Sequence, residues 1–62
     1  MLLILDDKKK KMDFKGTASQ LLKKLKIRRE EVVIKINDKL APETTEVNGK
    51  DKVEIIKVVF GG

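Results

Sequence analysis

Apolar positions fall along this chain in two alternating periods, and the changes of period mark its elements. Met1 to Leu5 is an unbroken apolar run, read as a strand. Asp6-Asp7-Lys8 has turn chemistry, and Lys10 to Phe14 is expected as a second strand with Met12 and Phe14 on one face, completing an N-terminal hairpin. Gly16 breaks the alternation and Thr17 is a good helix N-cap. Gln20 stands three residues on, so Thr17-x-x-Gln20 predicts a capping box. Ala18, Leu21, Leu22 and Leu25 then recur at the spacing of one helix face. Lys23, Lys24 and Lys26 lie off that stripe, the last two where the helix dipole favours cations.

Beyond Arg28-Arg29-Glu30-Glu31 the period returns to two. Val32 to Ile36 reads as a strand with Val32, Ile34 and Ile36 on one face and Val33 and Lys35 on the other. Asn37-Asp38-Lys39 is a turn, Leu40-Ala41 a short strand that Pro42 must end, and Thr44 to Asn48 irregular or briefly structured. Asn48-Gly49-Lys50-Asp51 is a second turn, and Val53 to Val59 or Phe60 is the last strand, ahead of Gly61-Gly62. One helix on one face of a mixed sheet is the economical two-layer solution for so short a chain, an α+β fold with the other sheet face open. In the last strand Val53 and Ile55 have the phase of core residues. Ile56, Val58 and Phe60 have the opposite phase, and Leu2 and Ile4 of the first strand can share their face. An exposed apolar patch on a small domain marks a partner site.

Composition narrows the chemistry. Sixty-two residues without a composition break imply a single domain, residues 1–62, and a chain running from Met1 to Gly62 is expected to be complete. Cysteine and histidine are absent, which removes thiolate chemistry, the usual metal ligands and the side chain that titrates near neutrality. No metal site and no catalytic side chain are expected. No run is long enough to span a membrane or serve as a signal peptide, so the expected location is cytoplasmic. The net charge of +5 lies wholly in residues 1–31, which hold ten Lys and Arg against five acids. The plain reading is that lysines blunt an edge hairpin and solvate a helix face. A nucleic-acid interface is the alternative, built on Lys8–Lys11, Lys23, Lys24, Arg28 and Arg29. It is weakened because only Phe14 and Phe60 are aromatic.

The chain end carries a more specific chemistry. Two glycines lack Cβ atoms, so they can thread a narrow channel and bring backbone close to a nucleotide. The Gly62 carboxylate, ionised at neutral pH, can attack the α-phosphate of ATP to give an acyl adenylate, which a sulfur or nitrogen nucleophile then takes up. That chemistry needs a free, flexible terminus on a rigid body and no catalytic side chain of its own.

Taken together, these segments resemble the ThiS/MoaD sulfur-carrier family. The resemblance rests on the N-terminal hairpin, on Gly16-Thr17-Ala18-Ser19-Gln20-Leu21-Leu22-Lys23-Lys24-Leu25, and on Val32 through Pro42. It closes with Gly49-Lys50-Asp51-Lys52-Val53-Glu54-Ile55-Ile56-Lys57-Val58-Val59-Phe60-Gly61-Gly62. The length is nearer the thiazole-synthesis carriers than the molybdopterin carriers. The resemblance implies a ubiquitin-like β-grasp, four to five strands packed on one helix, with a flexible Gly-Gly tail. It implies a ThiF/MoeB-like adenylating enzyme that uses ATP and Mg, a persulfide sulfur donor, and thiazole synthase or another acceptor. Gly62 is then the thiocarboxylate site, Gly61 its threading neighbour, and Ile56, Val58, Phe60, Leu2 and Ile4 the partner patch. No cofactor is permanently bound, and neither membrane nor nucleic acid is an expected partner. A ubiquitin-like modifier, or a carrier for tRNA thiolation or molybdopterin, shares the same activation chemistry. The four consecutive lysines depart from the acidic or neutral surface of a typical carrier.

Overall fold

The computed structural model describes residues 1–58. Strand β1 (Leu2–Leu5) turns through Asp6 and Asp7 into β2 (Lys8–Lys11). Both turn residues have positive φ, 52° and 61°, as the two-residue hairpin turn that matches strand twist requires. So short a turn sets Lys8 directly opposite Leu5 and Lys11 opposite Leu2. The second strand is therefore Lys8–Lys11, not Lys10 to Phe14. Pairing begins at once after the turn and ends where its four-residue partner ends. Met12 and Phe14 lie outside the strand yet still pack against the core.

Strand β3 (Gly16–Thr17) leads directly into helix α1 (Ala18–Leu25). The capping box forms as expected: the Gln20 amide donates to Thr17 Oγ1 at 3.2 Å and the Thr17 amide donates to Gln20 Oε1 at 2.9 Å. Such a cap stabilises by about 1 kcal/mol. Gly16 sits at φ +153°, and a Cβ there would strike that same Gln20 oxygen. Ala18, Leu21 and Leu22 are buried, and Leu25 packs half-buried beside them. Lys26 closes the helix in the left-handed region at φ 60°, its amide donating to the Lys23 carbonyl.

A 3-10 turn (Arg29–Glu31) precedes β4 (Val32–Ile36). Asn37 and Asp38, at φ 52° and 70°, repeat the tight turn into β5 (Lys39–Leu40). That short strand starts and ends one residue earlier than Leu40-Ala41, again because pairing follows the turn immediately. Strand β6 (Glu46–Val47) pairs antiparallel with β3, giving the Thr44 to Asn48 segment its brief structure. Strand β7 (Lys52–Lys57) comes last. It begins one residue before Val53 and ends at Lys57, where its partner β4 begins at Val32, so Val58 lies beyond it. Val59 and Phe60 fall outside the described residues.

The main sheet runs β2-β1-β7-β4-β5. The β1–β7 pairing is parallel and the others antiparallel, so the last strand fills the centre of a mixed sheet. With the helix on one face, this is the ubiquitin-like β-grasp. Leu3, Ile34, Ile36, Val53 and Ile55 meet Ala18, Leu21 and Leu22 in the core, and Val47 joins them at 2% exposure. No helix among the described residues is long and apolar enough to cross a membrane.

Candidate docking face and chain end

Strand register assigns the face opposite the helix. Leu2 pairs with Lys52 and Ile4 with Glu54, while Val33 pairs with Ile56 and Lys35 with Glu54 and Leu40. Because alternate residues point to opposite faces, these positions all lie on the open side. Leu2 and Ile4 are half-buried and Ile56 is 38% exposed. Val33 at 37% and Leu40 at 71% complete the apolar set. Both extend the patch expected from the first and last strands, and the alternation of Val32 to Ile36 already turns Val33 away from the core. Leu40 gave no such signal, because a two-residue strand has no period of its own. Val58 is half-buried, and its amide donates to the Glu31 carbonyl at 2.8 Å. Phe60, Gly61 and Gly62 lie outside the described residues.

The chain leaves β7 at the Asp6 end of the sheet, where Lys57 Nζ stands 3.5 Å from Asp6. The opposite end, about 17 Å away along the six-residue strand, is tied by polar groups. Asp51 accepts from the Asn37 side chain at 3.0 Å and from the Asn48 amide at 2.8 Å. Asn37 Oδ1 in turn accepts from the Lys52 amide, and Lys52 Nζ lies 2.6 Å from Asp38. The Asn37 bond, then the Asn48 amide, hold the Asp51 carboxyl below its ordinary range. Bonding and charge from Lys52 do the same for Asp38. A carboxyl with a lowered folded-state pKa stabilises above its unfolded value, near 3.8 here, and loses that contribution as pH falls through the folded value. The unfolding temperature is therefore expected to drop between about pH 5 and about pH 2, with a shallower drop for Asp51→Asn. Parallel curves for the two proteins would show that the Asp51 bonds contribute nothing.

The basic residues separate into two kinds. Arg28 lies 3.9 Å from Glu30 and from Glu31, and Arg29 pairs with Glu30 at 3.6 Å and with Glu43. These two arginines therefore have acidic neighbours, which the lysines of the same candidate cluster do not share. Lys24 lies 5.7 Å from the Phe14 ring centre, on which it can form a cation–π contact. Lys8 to Lys11 are all exposed. Among the described residues no cluster of acidic side chains is arranged to hold a metal.

A mixed sheet open on the face opposite its single helix is the β-grasp architecture of small carrier and modifier proteins. The ThiS family model matches residues 4–62, and the chain belongs to that family. The crystal structure of the thiamine biosynthesis protein ThiS from Geobacter metallireducens superposes with a TM-score of 0.69 at 26% identity, covering 100% of both chains. No curated protein matches the chain. Within the ThiS/MoaD group the chain is a sulfur-carrier protein, a co-substrate of enzymes and not itself an enzyme, and membership implies an activating partner of the ThiF/MoeB type.

Proposed function

We propose that this chain carries sulfur as a thiocarboxylate on Gly62 and delivers it to thiazole formation in thiamine biosynthesis. The observation that carries the proposal is the extent of the family match, which runs through Gly61 to Gly62. In the first step a Gly62 carboxylate oxygen attacks the α-phosphorus of Mg-ATP held by the activating enzyme, and pyrophosphate leaves. A persulfide sulfur then attacks the acyl adenylate and expels AMP. A thiol cleaves the resulting S–S bond, leaving the thiocarboxylate and a disulfide. The carrier contributes no acid or base to these steps. Its part is to dock and to present a main-chain carboxylate without a Cβ in the way.

Leu2, Ile4, Ile56 and Val58, with Phe60 at the chain end, form the docking patch for the activating enzyme. The support for this is the register that gathers Leu2, Ile4 and Ile56 on the uncovered side of the sheet. Sequestering the two reactants in one cleft replaces an encounter in solution with a positioned reaction. Intact mass of the chain after incubation with a ThiF-type enzyme, Mg-ATP, a persulfide donor and a thiol tests the reading. One oxygen should be exchanged for sulfur. An unchanged mass, under conditions where the same enzyme converts an authentic carrier, would refute it.

A further inference from the structure

The open face has a charge pattern that its apolar residues do not require. Lys9 pairs with Ile4 and Lys11 with Leu2, so both lysines lie on the open side at the β2 edge of the apolar stripe. Their neighbours Lys8 and Lys10, opposite Leu5 and Leu3, lie on the helix side. Lys35 stands across the stripe, between Glu54 and Leu40. Lys52 is spoken for by Asp38. Lys35 faces Glu54 across the strands and its charge also acts on Asp38, whereas Lys9 and Lys11 stand opposite Ile4 and Leu2. Among the described strand residues Glu54 is the one acid on this face. An apolar centre with a cationic edge at Lys9 and Lys11 is half of a complementary pair.

We propose that the surface docking here belongs to a protein whose apolar patch is flanked by carboxylates, and that Lys9 and Lys11 select it by charge. The inference rests on the carrier reading above and assigns this charge pattern to its activating enzyme. A protein occupant fits better than a nucleic acid. Phosphates would meet the lysines but leave Leu2, Ile4, Val33, Ile56 and Leu40 facing a polar backbone. Of the two aromatic residues Phe14 lies beside Lys24 of the helix, which leaves Phe60 as the single ring the patch could offer to a base. Strand alternation makes the claim face-specific, because the two halves of one lysine run should behave differently.

The test compares Lys9→Glu/Lys11→Glu with Lys8→Glu/Lys10→Glu. The two variants share net charge and strand, so a general charge effect or a weakened hairpin moves both equally. Far-UV circular dichroism checks that each folds. Association with the purified ThiF-type enzyme of the same organism is measured by stopped flow at low and high salt, alongside intact-mass detection of thiocarboxylate. The open-face pair should slow association at low salt by about tenfold or more. The helix-side pair should stay within about threefold, and the gap should close as salt screens the rim. Equal slowing by both pairs, or by neither, overturns the inference while wild-type thiocarboxylate formation leaves the carrier reading standing. A wild-type chain that neither binds nor is converted removes both. Preferential binding of bulk tRNA over the enzyme, weakened alike by both pairs, also overturns it in favour of a polyanion site.

Discussion

Removing Gly62 alone should abolish measurable thiocarboxylate formation while leaving the unfolding transition where it was. The shortened chain still ends in a carboxylate, on Gly61, so the chemistry is intact and only the reach has changed. One residue of extended chain spans about 3.3–3.6 Å. A displacement of about 1 Å at a reacting centre can cost about a hundredfold in rate. The loss should therefore be a hundredfold at least, and loss of both glycines should be deeper. Amidating Gly62 is the complementary experiment, because it keeps the length and removes the nucleophile; conversion should then be absent altogether. Intact mass reads both, and circular dichroism reads the fold. Conversion of the shortened chain at the wild-type rate would mean that reach does not limit the reaction, and conversion of the amidated chain would mean that the terminal carboxylate is not the acceptor of sulfur.

Leu21→Ala should produce the largest loss of stability available from one side chain. Leu21 is 1% exposed and sits where the helix meets the sheet. Truncating such a leucine costs about 3–5 kcal/mol, from lost transfer energy and from the cavity left behind. A chain of 62 residues has a total stability of only about 3–9 kcal/mol. The variant is therefore expected to lose at least 12 °C, at about 4–8 °C per kcal/mol, and to be partly unfolded at ambient temperature. With neither Trp nor Tyr in the chain, far-UV circular dichroism is the suitable probe. A shift under about 1 kcal/mol would place Leu21 outside the cooperative core.

The two elements most legible from residues were those with local causes. The capping box needs only Thr17 and Gln20 three residues apart, and the helix stripe needs only its own spacing. Val32 to Ile36 alternated cleanly because one face of that strand is core and the other is open. The second strand differs from the expected Lys10 to Phe14 because Lys8 to Lys11 carry no hydrophobic alternation. What places them is the two-residue turn at Asp6-Asp7 and the length of β1. The β3–β6 ladder leaves no mark in the residue pattern. Its two strands are two residues each and lie some thirty positions apart in the chain, so neither has a period and only the packed helix brings them together. Val47, buried there, stands in a stretch whose residue pattern reads as irregular or briefly structured.

The open face divides the same way. In Val53 to Ile56 the order of residues already separates core from surface. In Leu2 to Leu5 every residue is apolar, and nothing along the chain distinguishes Leu3 from Ile4. The parallel neighbour β7 makes that choice by setting Leu3 beside Val53 and Ile4 beside Glu54. The β1–β2 register in turn separates Lys9 and Lys11 from Lys8 and Lys10, a distinction invisible in four identical letters. Periodicity, caps and turns act over a few residues and so can be read from the linear chain. Facing and charge pattern arise from hydrogen bonds between distant strands, and exist only once the sheet has formed.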